Sequence, residues 1–251
     1  MELQDKVVAV TGSGSGIGRA LAVSFAAAGA RVACLGRRIE RLQETVREIE
    51  ANGGKGLAAP ADITDPDQVA EAVANITQKL GPVDVLFNNA GSFASLGALA
   101  EVDHDIWWQD VTVNIKGTML MMREVLPGMI ERDCGVIINM NGGRPPGGSG
   151  YATGKAGVME LTRVAALELE QLKSHVIILG AGPGLVQTEM TQLQADSAAG
   201  QRWIPSTKQS IDAGTTRSPF DIAHKTIEVL QLLKPEWNGK YFGPDSDLQS
   251  W

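Results

Sequence analysis

Val7-Val8-Ala9-Val10-Thr11-Gly12-Ser13-Gly14-Ser15-Gly16-Ile17-Gly18 is the stretch that decides the fold. A short β-branched run, Val7 to Val10, stops at a glycine cluster, and from Ile17 to Ala28 apolar residues recur at Ile17, Leu21 and Phe25, the spacing of one helix face. The reading is strand, glycine-rich turn, helix. Gly29 stands where a helix-ending glycine belongs, and Arg31 to Leu35 is a second apolar run, so a first βαβ unit is complete by Gly36.

The alternation continues outward from that unit. Helices are expected near Glu40 to Ala51, Pro66 to Leu80, Asp105 to Arg132 (with a kink at Pro127), Tyr151 to Lys173 and Pro219 to Leu233. Strands are expected near Gly56 to Pro60, Val83 to Phe87, Val136 to Met140, His175 to Leu179 and Lys240 to Phe242. Strands alternating with helices from end to end predict an α/β chain, a single Rossmann domain over residues 1–251 whose doubly wound parallel sheet is covered on both faces. The long stretch Gly184 to Ser218 reads as irregular, either a lid over a substrate site or a solvated insertion.

Composition narrows the function. With 43% hydrophobic residues the chain can build a sizeable core, and a net charge of −7 with no long basic run argues against nucleic acid. Cys34 and Cys134 are too few for a disulfide framework, and neither they nor His104, His175 and His224 have metal-ligand spacing, so no metal is expected. No apolar run approaches the ~20 residues that span a bilayer, and no signal peptide is read at the N-terminus. The expectation is a soluble, cytoplasmic protein without a membrane partner. Met119, Met121, Met122 and Met129 fit core or subunit contact, and of Trp107 and Trp108 one is expected to be buried.

The glycine cluster lies where a backbone can approach a pyrophosphate and a helix N-terminus offers free N–H groups. The acidic residue that would hold a ribose 2′-OH at the end of the second strand is absent: Gly36 stands there, followed by Arg37 and Arg38. Guanidinium groups pair with a 2′-phosphate through bidentate bonds, which favours NADP(H) over NAD(H). The alternative is that these arginines only begin a solvated helix face, as Arg41 and Arg47 are expected to do.

Three patterns together resemble the classical short-chain dehydrogenase/reductases over nearly the whole chain: T-G-x-x-x-G-x-G at Thr11 to Gly18, N-N-A-G at Asn88 to Gly91, and Y-x-x-x-K at Tyr151 to Lys155. The resemblance implies that Gly12, Ser13, Ser15, Gly16, Ile17 and Gly18 hold the cofactor phosphates, that Asp62 and Ile63 contact the adenine, and that Asn89, Ala90 and Gly91 border the cofactor. It places Pro183, Gly184, Val186 and Thr188 beside the nicotinamide carboxamide and makes Asn114 the catalytic-site asparagine. It also implies a homodimer or homotetramer built on the helices near 105–132 and 151–173.

Tyr151 and Lys155 are four apart and share a helix face. A neighbouring ammonium is expected to favour the phenolate of Tyr151, which could then exchange a proton with a substrate oxygen while Lys155 also holds the cofactor ribose. The family's serine near the end of the fifth strand is missing, and Asn141 and Gly142 occupy its place. Asn141 can stand in by donating from its amide, Ser149 can reach in from the glycine-rich loop, or the donor is lost. The expected function is hydride transfer between NADP(H) and a moderately hydrophobic ketone or secondary alcohol, in a pocket lined by Phe93, Leu96, the 141–149 stretch, Met190 and Trp203. The alternative is a cofactor-binding relative with impaired catalysis, serving as a sensor or oligomer partner. A non-redox Rossmann enzyme such as an epimerase is disfavoured for want of a separate substrate domain.

Overall fold

The computed structural model describes residues 1–251. The first half runs β1 (Val7–Thr11), α1 (Gly16–Ala27), β2 (Arg31–Gly36), α2 (Ile39–Ala51), β3 (Lys55–Pro60), α3 (Pro66–Leu80), β4 (Val85–Asn88), α4 (His104–Val111) and α5 (Gly117–Glu131). The second runs β5 (Val136–Met140), α6 (Ser149–Gln171), β6 (Ile177–Ala181), α7 (Glu189–Asp196), α8 (Ala198–Trp203), α9 (Pro205–Asp212), α10 (Pro219–Leu232) and β7 (Tyr241–Phe242). All seven strands form one sheet in the order β3-β2-β1-β4-β5-β6-β7, and every neighbouring pair is parallel.

Alternate residues of a strand face opposite sides, so a sheet covered on both faces needs two cores. Val8 and Val10 of β1 join the core that carries Leu21 and Phe25 of α1, Ile49 of α2 and Val229 of α10. Val7 and Ala9 join the other, with Ile76 of α3, Met121 and Met129 of α5 and Leu169 of α6. The strand order reverses between β1 and β4, and in such sheets the crevice beyond the carboxyl ends at the reversal is the place for a ligand.

Between β4 and β5 the expected long helix is interrupted by a π-helical turn, Thr112–Lys116, between α4 and α5. The chain stays helical through Pro127, so the irregularity falls earlier than proline alone predicts. The stretch expected to be irregular, Gly184 to Ser218, instead contains α7, α8 and α9. Each has six to eight residues, too short for apolar periodicity to register, and their starts are set by local chemistry. Thr188 and Ser197 cap α7 and α8, and Pro205 opens α9. β6 begins two residues later than expected because His175 is held outside the sheet by the Asp133 carboxylate. No helix is long and apolar enough to cross a membrane.

A buried polar chain ties α6 to the middle of the sheet. The Asn88 amide donates to Asn139 Oδ1 at 2.9 Å, Asn139 Nδ2 donates to Thr162 Oγ1 at 2.9 Å, and Thr162 donates to the Val158 carbonyl at 2.8 Å. Asn139→Ala strands the partners on both sides without water to replace them, and is expected to lower unfolding stability by on the order of 2–4 kcal/mol in a denaturant titration.

Candidate active site

The carboxyl ends of β1, β4, β5 and β6 open onto a cavity of about 740 Å³ that α7 borders from above. At one end lies the glycine turn. Gly12 (φ +68°) and Gly16 (φ +52°) adopt backbone that favours glycine, and a Cβ on Gly18 would collide with the Gly12 carbonyl. Ser15, the residue before α1, makes no capping hydrogen bond, whereas Asp65, Asp103, Thr188 and Ser218 cap α3, α4, α7 and α10 with their side chains. The first N–H groups of α1 are thus left without side-chain acceptors at the cavity edge, as an anion site requires.

Gly12, Ser15, Gly16 and Ile17 line this end, and Gly36, Arg37 and Arg38 lie across from them. Arg37 and Arg38 are exposed and form no salt bridge within the chain. Arg41, read from sequence as part of a solvated face, also lines the cavity and reaches Glu189 of α7 at 3.6 Å. That missed position was legible only as the next turn of the helix begun by Arg37 and Arg38. Ser13 is buried, its hydroxyl on the Leu35 carbonyl and its carbonyl accepting from Thr45, so its side chain supports the turn from behind. Asp62 and Ile63 line the adjoining wall, where Asp62 Oδ1 accepts from the Thr64 N–H and hydroxyl. These donors, glycines and free guanidinium groups fit the phosphates of a dinucleotide.

Asn89, Ala90 and Gly91 follow β4 along the cavity floor, anchored when Thr11 Oγ1 accepts from the Asn89 and Ala90 N–H groups. Lys155 projects from α6 beneath them and donates to the Met140 carbonyl at 2.8 Å. Asn114 sits in the π-turn, fully buried, its Nδ2 donating to the Ser92 and Asp110 carbonyls at 2.7 Å each. Its Oδ1 is buried without a partner. Gly91 makes this possible, because a Cβ there would lie 2.8 Å from Asn114 Oδ1 and 3.5 Å from Lys155 Nζ. Pro183 and Thr188 line the cavity beyond β6, whereas Gly184 and Val186 lie outside its lining; Val186 pairs with Arg217 at the base of the α7–α9 segment.

Tyr151 lies in the middle of this arrangement. Phe93 stacks on its ring with centroids 4.4 Å apart and planes 7° from parallel. Lys155 Nζ is 5.7 Å from the ring centroid. The expected phenolate is not what these surroundings favour: burial, then the negative Asp110, push the phenol up to about 12, and burial pulls Lys155 down to about 8. With no compensating contact to the phenol oxygen, desolvation outweighs the attraction of the ammonium. Burial and Asp110 together keep the Tyr151 phenol protonated at neutral pH.

The two neighbours proposed for the missing serine differ. Asn141 lines the cavity, with its N–H on the Ala181 carbonyl and its Oδ1 buried without a partner. The Ser149 hydroxyl accepts from Trp107 Nε1 at 3.0 Å and does not line the cavity. Gly142 cannot carry a side chain in this conformation, because its Cβ would fall inside the Tyr151 hydroxyl. Trp107 is half-buried and Trp108 exposed. Phe93, Leu96 and Met190 line the cavity as expected, but Trp203 packs against Gly147 and borders a smaller recess shared with Leu96.

Comparison with known proteins agrees with this geometry. Residues 6–198 match the family model described as short chain dehydrogenase. A short chain dehydrogenase of Pseudocercospora fijiensis is 41% identical over 195 residues, spanning 75% of this chain and 62% of that protein. The 3-oxoacyl-(acyl-carrier-protein) reductase FabG of Thermotoga maritima is 35% identical over 238 residues, 93% of this chain and 90% of the relative. Among solved structures, a variant of actinorhodin polyketide ketoreductase with NADPH superposes with a TM-score of 0.84 at 27% identity, covering 95% of each chain. The chain belongs to the short-chain dehydrogenase/reductase family of oxidoreductases.

Proposed function

We propose that the chain is a cytoplasmic, homo-oligomeric reductase that transfers hydride from NADPH to a moderately hydrophobic ketone, and runs in reverse on a secondary alcohol. The observation that carries this reading is a protonated, half-buried Tyr151 beside Lys155, at the far end of a cavity from an uncapped helix N-terminus and two free arginines. Bound NADPH supplies the hydride. Gly12, Ser15, Gly16, Ile17 and Gly18 would hold its pyrophosphate, and Arg37 and Arg38, with Arg41 beside them, its 2′-phosphate. Ser13 supports that turn, Asp62 and Ile63 flank the adenine, Asn89 to Gly91 and Lys155 hold the nicotinamide ribose side, and Pro183 to Thr188 border the carboxamide. Of these, Gly12, Ser15, Gly16, Ile17, Arg37, Arg38, Arg41, Asp62, Ile63, Asn89, Ala90, Gly91, Lys155, Pro183 and Thr188 line the cavity.

Tyr151 gives its hydroxyl proton to the substrate oxygen, a step suited to a phenol that stays protonated. Asn141, on the cavity wall beyond β5, would bind that oxygen through its Nδ2 donor in the role of the absent serine. Asn114 fixes the floor through Ser92 and Asp110. Phe93, Leu96, Met190 and Leu193 make the substrate end apolar, and α7 to α9 act as a lid over it. A proton-transfer tyrosine beside the nicotinamide site has no task in a pure cofactor sensor, which favours the enzyme.

The free thiols of Cys34 and Cys134 suit a reducing compartment. Exposed Val164, Leu167 and Leu172 of the α6 region, with Ile106 and Trp108 of α4, suit a subunit contact.

Arg37→Ala is expected to weaken NADPH binding at least tenfold more than NADH binding in a fluorescence titration; equal losses remove Arg37 from the 2′-phosphate site. In the same cuvette, NADPH oxidation by a ketone panel tests the activity. Tyr151→Phe is expected to reduce turnover by roughly 10²–10⁴ while cofactor affinity persists. Gly142→Ser restores the family's serine in sequence but displaces the phenol, and is expected to lower turnover rather than raise it.

A further inference from the structure

Asp110 of α4 is wholly buried, yet it touches neither the cavity nor a basic side chain. Its carboxylate accepts from the Ser92 hydroxyl at 2.5 Å, the Ala94 N–H at 2.9 and 3.1 Å, the Ser95 N–H at 2.9 Å and the Ser95 hydroxyl at 2.6 Å. A buried carboxylate is tolerated when its lone pairs are filled in this way. What it gathers is one short segment, Ser92 to Ser95, which follows the cofactor-side Gly91 and has no regular structure of its own.

That segment touches Tyr151 and the residue before it. Phe93 lies flat on the phenol ring, and the Ser95 hydroxyl is close enough to Gly150 that a Cβ there would come within 2.6 Å. The same turn of helix holds Asn114, whose Nδ2 donates to the Asp110 and Ser92 carbonyls. The lid reaches the segment too, through Gln194 Nε2 on the Phe93 carbonyl at 3.2 Å.

We propose that Asp110 is a positioning residue: by drawing residues 92–95 onto one buried carboxylate it seats Phe93 over Tyr151, and thereby fixes the phenol and keeps it from water. The charged groups that face the phenol are Asp110 from α4 and Lys155 from α6, while residues 92–95 and Gly142 contribute none. The carboxylate acts in the same direction as the burial it enforces, because a negative neighbour and lost hydration both disfavour a phenolate. This inference rests on Tyr151 as the proton donor, but its test needs no substrate.

The chain has two tyrosines, so in a Tyr241→Phe background the ultraviolet difference absorbance of phenolate reports Tyr151 alone. Asp110→Asn removes the charge and is expected to lower the midpoint of that titration. Ser92→Ala with Ser95→Ala keeps the charge but releases two of the bonds. It is expected to lower the midpoint as well by admitting water, and it stands in if Asp110→Asn fails to fold. A folded variant of either kind that titrates with the parent overturns the proposal. Absent turnover on the ketone panel with a shifted titration would instead count against the proposed activity and leave the role of Asp110 supported.

Discussion

The parallel register of the sheet is the constraint on which the site depends. Because β1, β4, β5 and β6 run the same way and are paired so that Val10 lies beside Phe87, Asn88 beside Asn139 and Met140 beside Ala181, their carboxyl ends finish at one edge. The turns that leave that edge carry the glycine cluster, Asn89 to Gly91, Asn141 and Pro183. A helix packed across the sheet can then offer Tyr151 and Lys155 to all of them. The buried run from Asn88 through Asn139 to Thr162 fixes where that helix lies.

Within this frame Tyr151 and Lys155 are shaped mainly by burial. The two residues four apart on α6 are driven in opposite senses by the same loss of water: the phenol holds its proton more tightly and the amine holds its proton less tightly. The glycines are the complement of this crowding. Gly91 leaves room between Asn114 and Lys155, Gly154 lets α6 approach Asn114, and Gly142 leaves room for the phenol hydroxyl. A serine at position 142 and Tyr151 where it stands are mutually exclusive, which gives a physical reason for the absence of the family's serine here.

Much of this was legible in the sequence. The alternation of β-branched runs with helical spacing locates the strands and helices of the sheet, and the T-G-x-x-x-G-x-G, N-N-A-G and Y-x-x-x-K patterns locate residues that meet at one cavity. What was not legible has specific causes. α7 to α9 are too short for periodicity and are set by Thr188, Ser197 and Pro205. The protonation of Tyr151 depends on Phe93 and Asp110, which are distant in sequence and carry no spacing signal. Arg41 looked like one more charge on an amphipathic helix until the fold turned it toward Glu189.

The proposed chemistry depends on a phenol that stays protonated at neutral pH. With NADPH saturating, the rate of ketone reduction measured between about pH 6 and pH 8 should not fall, since Tyr151 is pushed up to about 12, while alcohol oxidation with NADP should rise with pH as its small phenolate fraction grows. A reduction rate that falls through a midpoint inside that window, and loses the dependence in Tyr151→Phe, would mean the phenol ionises there and would contradict the account.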